Sequence, residues 1–421
     1  MRRSCSLESL SAEVAKGPNV WPVEKLATLV NVVYGKSPAA IEKLDDGIPI
    51  FGTGGVVGYT NEALCKGPSI ILGRKGTIDK VQRSAGPFWS IDTTYYTTPR
   101  REFDWSWLYY AISSFDLRKL NEASGVPSLS RLSLETLDVV TPPLPEQQKI
   151  AAILTSMDDK LDVIARQIDA TQTLKQGLMQ TLLSRGVGSQ EANGRWVAHA
   201  EFKDSELGKI PVGWTVAPLR ELIEKLMDFR GRTPKKLGMD WGGGVIPALS
   251  ANNVRMGYID FDRECYLGSD ELYAAWMVQG ETRKNDLVFT MEAPLGNVAV
   301  IPDDRKYILS QRVVLLRANQ RIKHSYLFQY LQSDTFGKIL EANATGTTAK
   351  GIQQKRLVQL PVVLPPLQEQ ERIADMLGSI DRKLDALLSK QFHHQTLKRG
   401  LMQKLLMGEW RVSLDISATA T

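Results

Sequence analysis

A glycine-rich run that resembles a phosphate cradle is GTGGVVG, Gly52 to Gly58, directly behind a strand-like stretch. A G-x-G-x-x-G loop needs glycine where Val57 stands, and no βαβ unit with an acidic ribose ligand follows. A backbone turn is therefore expected there, not a nucleotide or methyl-donor cradle. The sequence contains no G-x-x-x-x-G-K-[ST] loop and no adenine-methylating [DN]-P-P-[FY] tetrapeptide. His199, His324, His393 and His394 include no metal-spaced set, and Cys5, Cys65 and Cys265 stand too far apart for a zinc site. Asp303-Asp304 before Arg305-Lys306 reads as a polar turn between strands. No metal site and no catalysis by the chain itself are expected.

What remains is recognition chemistry. Guanidinium, amide and hydroxyl groups on loops can read base edges or hold phosphates. In the first half these are Arg74, Lys75, Thr77 and Lys80 around the Gly76 turn, with Ser128, Ser130 and Arg131. In the second half they are Arg230, Arg232, Thr233, Asn252, Asn253, Asn297, Gln311, Arg312, Lys350 and Gln353. The net charge of +5 is only mildly basic. The excess is local, however: six cations face two aspartates between Ile70 and Arg101, and five face Asp228 between Lys225 and Lys236. No run of 18 apolar residues exists, so no membrane span is expected. The N-terminal MRRSCSLESL lacks the apolar core of a secretory leader, which points to a cytoplasmic protein.

The elements that must position these groups are announced by a repeat. PPLPEQQKIAAILTSMDDKLDVIARQIDATQTLKQGLMQTLLSRG from Pro142 returns as PPLQEQERIADMLGSIDRKLDALLSKQFHHQTLKRGLMQKLLMGE from Pro365. The offset is 223, without gaps, and 23 of 45 positions are identical. Each copy reads as a long helix, with Pro145 tolerated in the first turn and Glu146 favoured by the N-terminal dipole. Gln368 replaces that proline in the second copy, so a less sharply defined start is expected there. Apolar steps of four and three give Ile150, Leu154, Met157, Leu161, Ile164 and Ile168, then Ile373, Leu377, Ile380, Leu384 and Leu387. This narrow stripe is the seam of a coiled coil. It resumes out of phase as Leu174, Leu178, Leu182 and as Leu397, Leu401, Leu405, beside Gly177 and Gly400, where a local irregularity or a close helix crossing is expected. Neither helix can bury its stripe alone. Antiparallel packing of the two copies is the economical solution, with a variable domain at each end. The competing arrangement folds each helix back on its own domain.

Residues 17–141 and 208–364 lack the stripe. Ile48–Phe51, Ser69–Leu72, Leu287–Thr290 and Arg312–Leu316 read as strands, and Trp105–Ser113 and Tyr326–Gly337 as helical. Shared landmarks, such as Trp21 with Trp214 and Gly76-Thr-Ile with Gly296-Asn-Val, mark diverged copies of one fold. Arg185–Lys209, polar and glycine-containing, reads as a linker.

The doubled segment, with PPLPEQQKIAAIL and LKQGLMQTLL answered by PPLQEQERIADML and LKRGLMQKLL, resembles the specificity (S) subunit of type I restriction–modification systems. FKDSELGKIPVGW, Phe202–Trp214, is similar to that family's entry into its second recognition domain. IILGRKGTIDKV with FWSIDTTYY, and ILSQRVVLLR, are similar to its domain types. The resemblance implies an α+β chain: two similar α/β target-recognition domains separated by a long antiparallel two-helix coiled coil, with a pseudo-two-fold internal repeat. The implied segments are an extension (1–16), recognition domain 1 (17–141), helical region 1 (142–186), a linker (187–207), recognition domain 2 (208–364), helical region 2 (365–409) and a tail (410–421). It further implies that each domain reads one half of a split site in double-stranded DNA. The helices would set the unread spacer and dock two methylation (M) subunits, and restriction (R) subunits would join the full complex. No cofactor is expected on this chain; S-adenosylmethionine, ATP and Mg belong to the partner subunits. A coiled-coil scaffold with two domains for ligands other than DNA is the alternative.

Overall fold

The computed structural model describes residues 14–15, 21–346 and 349–413. Cys5 and most of the N-terminal and C-terminal segments lie outside the described residues. The chain divides into unit 1, Met1–Gln167 with Leu388–Thr421, and unit 2, Ile168–Leu387.

In unit 1 the apolar run Ser69–Gly73, buried at every position, is a central strand. It belongs to a four-stranded antiparallel sheet in the order Val30–Tyr34, Thr94–Pro99, Ser69–Gly73, Gln82–Ser84. A three-stranded sheet follows the order Gly55–Thr60, Ile48–Gly52, Trp89–Ser90, the last pair being parallel. Val23–Lys25 pairs with Asp138–Val140. Unit 2 repeats this plan. Its four strands run Ile223–Asp228, Val313–Ala318, Leu287–Met291, Leu295–Val300, and its three run Tyr266–Gly268, Ile246–Leu249, Ile308–Leu309. Thr215–Pro218 pairs with Pro361–Leu364. The two variable regions therefore share one topology, as their landmarks suggest.

Three readings need adjustment, and two hold. The strand expected from Arg312 starts at Val313, because Arg312 adopts φ 66°, outside any strand geometry. The helix expected over Tyr326–Gly337 is two helices, His324–Leu331 and Asp334–Ala342. The Ser333 hydroxyl between them accepts from the Phe336 N–H and starts the second. The helix Trp105–Ser113 forms as read, capped by Asp104. GTGGVVG is a hairpin within Ile48–Thr60, with no helix behind it. The stretch read as a linker carries two hairpins, Ser189–Gln190 with Trp196–Val197 and Phe202–Ser205 with Gly208–Pro211.

The repeated segments are unbroken helices, Leu144–Arg185 and Leu367–Leu406, of 42 and 40 residues. At roughly 1.5 Å per residue each is about 60 Å long. Both begin at equivalent leucines, so Gln368 does not blur the second start. A glutamine clamp explains this. Gln147 donates to the Pro142 carbonyl and accepts from the Asp104 N–H. Gln370 donates to the Pro365 carbonyl and accepts from the Lys323 N–H. Each clamp ties the first helical turn to the sheet domain.

The seam is antiparallel within each unit. In unit 1 Glu146 meets Arg411 at 2.8 Å and Asp158 meets Lys398. In unit 2 Asp381 meets Lys175 at 2.6 Å, and Glu369 meets the backbone of Val187 and Gly188. Asp381 and Lys398 are the repeat counterparts of Asp158 and Lys175, so the acid of each copy pairs with the lysine of the other. Ile150, Leu154 and Met157 share one core with Leu401 and Leu405, and also with Trp107, Leu108 and Ala111 of the domain. Ile373 and Leu377 do the same with Met179, Leu182 and Leu183 and with Tyr326 and Tyr330. Within its unit, each helix thus packs on its own domain and on a segment of the other copy at once.

Ile164, Ile168 and Leu387 are also buried, but Leu161, Ile380 and Leu384 are only half-buried. The resumed stripe is partly displaced: Leu174 is 49% exposed and Leu178 half-buried, while Met179, Leu182 and Leu183 are buried. In the second copy Leu401 and Leu405 are buried and Leu397 is half-buried. The helices continue unbroken through Gly177 and Gly400, so no interruption marks the change of phase. Each glycine costs about 0.8–1 kcal/mol against alanine in a helix interior.

Both helices end at left-handed glycines that receive a tryptophan. A Cβ on Gly186 (φ 74°) would collide with Trp214 and Glu369, and one on Gly408 (φ 73°) with Trp21. Val14–Ala15 pairs with Arg411–Val412 just beyond the second helix.

Candidate nucleic-acid interface

In recognition domain 1 the loop after strand Ser69–Gly73 carries Arg74, Lys75 and Thr77. Its backbone is fixed from two sides: the Arg74 and Lys75 N–H groups donate to the Thr93 carbonyl, and the Gly76 N–H donates to the Pro127 carbonyl. Lys75 forms a bridge with Ser128, and the Arg74 carbonyl accepts from Leu129. The two segments chosen from sequence are therefore neighbours. Lys80 reaches back to the Gly54 carbonyl, and the Thr53 hydroxyl lies 3.6 Å from where a Cβ on Gly76 would stand. The GTGG turn thus belongs to this cluster, which the sequence reading missed. A glycine-rich hairpin tip near a run of cations was the available signal.

The Arg74 guanidinium lies 5.5 Å over the half-exposed Tyr34 ring, which packs on Tyr95. Burial, then the neighbouring Tyr34, pushes the Tyr95 hydroxyl up to about 12. Among the described residues no carboxylate pairs with Arg74, Lys75 or Lys80. The Arg74 Nε is buried with no hydrogen-bond partner. A fixed loop presenting unneutralised cations is suited to phosphate or base-edge acceptors. Two candidates are occupied within the domain. The Ser130 hydroxyl caps the short helix Arg131–Glu135, and Arg131 is held by Glu135 at 2.6 Å.

Recognition domain 2 gathers Arg312, Glu292 and Gly351: Arg312 lies 3.4 Å from Glu292, which bridges to Gly351. Lys350 and Gln353 flank Gly351 and are exposed, with Lys350 3.6 Å from Glu341. Arg230 is held bidentately by Asp228, and that hydrogen bonding raises its already high pKa. Exposed pairs such as Arg312–Glu292 contribute at most about 1 kcal/mol, so a phosphate can displace the carboxylate. Gln311 is exposed, its carbonyl taken by Ala251, and Asn252 is exposed beside Arg263.

Three candidates serve the fold instead. Asn253 is 1% exposed; its side chain accepts from Ser250 and donates to carbonyls of the 260–264 loop. Arg232 donates to the Ala275 and Trp276 carbonyls, and Asn297 to that of Val254. Thr233 is half-buried at the start of the turn Pro234–Leu237 and makes no capping bond. Sequence reading passed over Arg255, whose guanidinium has a buried nitrogen without a partner, next to the exposed Tyr258. An arginine and a tyrosine flanking Met256-Gly257 were the only sequence signal.

The described residues hold no group of three or more His, Cys, Asp or Glu able to bind a metal, and no helix long and apolar enough to cross a membrane.

The family profile of the type I restriction modification DNA specificity domain matches twice, over residues 18–172 and 211–391. The chain belongs to this family. Each match takes in one sheet domain and much of the long helix after it, the unit that the 223-residue repeat defines. Among specificity-family relatives, the type I restriction enzyme MjaVIII specificity subunit of Methanocaldococcus jannaschii is 27% identical, covering 94% of both chains. The EcoDI specificity subunit of Escherichia coli is 21% identical over 94% of this chain and 91% of its own. The crystal structure of the S subunit from M. genitalium superposes with a TM-score of 0.62 at 16% identity, covering 93% of this chain and 97% of that one. That likeness extends the specificity-family fold over both units.

Proposed function

We propose that this chain is the DNA sequence-recognition subunit of a type I restriction–modification complex and performs no chemistry itself. Residues 17–141 and 208–364 each read one half of a split duplex site. The two long helices set the number of unread base pairs between the halves and dock two methylation subunits. S-adenosylmethionine acts on those subunits, and ATP with Mg2+ on restriction subunits that join the full complex. The observation that carries this reading is a contrast within the chain. Two sheet domains share one topology but present different loop chemistry, while the repeated segments behind them keep about half their residues identical. Readers diverge when they read different sequences; a ruler and a common docking surface do not.

The test is co-expression with the methylation subunit, followed by mapping of methylated adenines. A split, asymmetric target is expected. Exchange of residues 17–141 for another family domain is expected to alter one half of that target and leave the other intact; alteration of both halves contradicts modular reading. Duplex binding by the assembled complex is expected to weaken by roughly a thousandfold or more from 50 to 200 mM salt if six or more phosphates are neutralised. Weak affinity insensitive to salt would instead favour a scaffold for other ligands.

A further inference from the structure

The backbones of the two sheet domains match residue for residue where the buried central strand ends. In unit 1 Gly73 pairs with Thr94, the Arg74 N–H donates to the Thr93 carbonyl, and the Arg74 carbonyl accepts from Leu129. In unit 2 Thr290 pairs with Val313, the Met291 N–H donates to the Arg312 carbonyl, and the Met291 carbonyl accepts from Ile352. One residue on, Lys75 bridges to Ser128 and Glu292 to Gly351. The short helices that follow start at the same step, with Ser130 and Gln353 at the N-cap. Lys75 therefore corresponds to Glu292, Thr93 to Arg312 and Ser128 to Gly351. The same exposed place carries an ammonium in one reader and a carboxylate in the other.

The neighbours change with the charge. Among the described residues no carboxylate pairs with Lys75. Glu292 lies 3.4 Å from Arg312, both side chains being about half exposed. Arg230, whose pKa is raised first by Asp228, also feels the Glu292 charge. A Cβ on Gly351 would stand 3.2 Å from the Glu292 Cβ, so glycine there leaves the glutamate unhindered. Arg312 is held at φ 66°, a left-handed conformation that costs a non-glycine residue energy and is retained at functional loops. A bare carboxylate is repelled by a phosphate backbone; one flanked by guanidinium groups is not, because those groups take the phosphates. In the major groove a lysine suits the O6 and N7 acceptors of guanine, and a glutamate suits the N4 amine of cytosine.

We propose that Lys75 and Glu292 are corresponding base-reading residues of opposite chemistry. Lys75 donates to the O6–N7 edge of a guanine, and Glu292 accepts from the N4 amine of a cytosine while Arg312 turns to a phosphate. The assignment rests on the proposed function and names the contacts by which each half of the site is selected. Divergence of the readers is then, at this place, a reversal of charge on a conserved backbone.

The experiment uses the full chain assembled with its methylation subunit, and mapping of methylated adenines first gives the target of the unaltered complex. Glu292→Ala is expected to relax the requirement for one G·C pair in one half of the target by about tenfold or more, and Lys75→Ala to do so in the other half. Melting temperatures are expected to hold, because both side chains are exposed. Glu292→Ala is also expected to bind unrelated duplex at least as tightly as before, since a negative charge has been removed. Replacing the read cytosine by pyrimidin-2-one, which lacks the amine, is expected to weaken binding of the unaltered complex about tenfold and that of Glu292→Ala hardly at all. Substitution of 7-deazaguanine is expected to separate the unaltered complex from Lys75→Ala in the same way. Unchanged base preference, relaxation at an A·T pair, or uniform weakening on every sequence overturns the assignment. An unaltered complex that methylates no split site overturns the proposed function instead.

Discussion

Glu369→Ala is expected to destabilise unit 2 by about 3–5 kcal/mol, the cost of removing one member of a buried charged network. The Glu369 carboxylate is 2% exposed. It accepts from the Val187 N–H at 2.9 Å, the Gly188 N–H at 3.0 Å and the Trp214 indole N–H at 2.7 Å, and lies 2.9 Å from His199 Nε2. Removing it strands donors that were dehydrated for its sake, each worth about 1–3 kcal/mol when left unpaired. Water entering the vacated space recovers part of that sum. The helix end, the first hairpin after it and the tryptophan of domain 2 all lose their common anchor. Urea denaturation followed by tryptophan fluorescence reads the loss, and a change below about 1 kcal/mol would contradict this account. The repeat counterpart gives a milder outcome. Glu146→Ala releases Arg411, whose side chain is already 21% exposed and can turn to solvent.

Leu377→Lys and Leu154→Lys are each expected to prevent stable folding of the unit that contains them. Both leucines are fully buried between the other helix and their own sheet domain. An ammonium there enters an apolar core, the aspartate one turn on (Asp381 or Asp158) being already paired with a lysine of the other copy, and even truncation to alanine costs about 2–5 kcal/mol. Leu161→Lys and Leu384→Lys occupy the same heptad stripe yet are expected to be tolerated within about 1 kcal/mol, because these half-buried side chains border open grooves and a lysine can extend its amine to solvent. Melting curves of the four variants test the distinction. Equal losses at all four positions would mean that the seam is uniformly closed.

That distinction shows where sequence reading stops. Periodicity assigned Leu154 and Leu161 to one stripe, since both satisfy the same spacing. Only the sheet domain, which covers the helix near Leu154, separates them. Leu174 failed for a related reason: the apolar phase changes along the helix, and the sequence did not reveal which face the domain covers. The loop chemistry was legible by type and not by role. Arg74 and Arg232 are the same residue in similar turns, but Arg232 is held by the carbonyls of Ala275 and Trp276, some forty positions on. Asn253 is likewise consumed by a local turn. Glu369 stood in the sequence as a helix-start acid, with nothing to announce partners that lie more than 150 residues away. What sequence secured was the duplication itself, because repetition of 45 positions requires no knowledge of contacts.

The crossed ion pairs carry an implication about origin. Asp158 with Lys398 and Asp381 with Lys175 are one bond written twice, acid from one copy and amine from the other. Residues 142–186 alone hold both complementary halves of that bond, so two identical short chains would neutralise each other's charges as a homodimer. A chain joining two such copies keeps this pair unchanged, while each reader is free to differ from its twin.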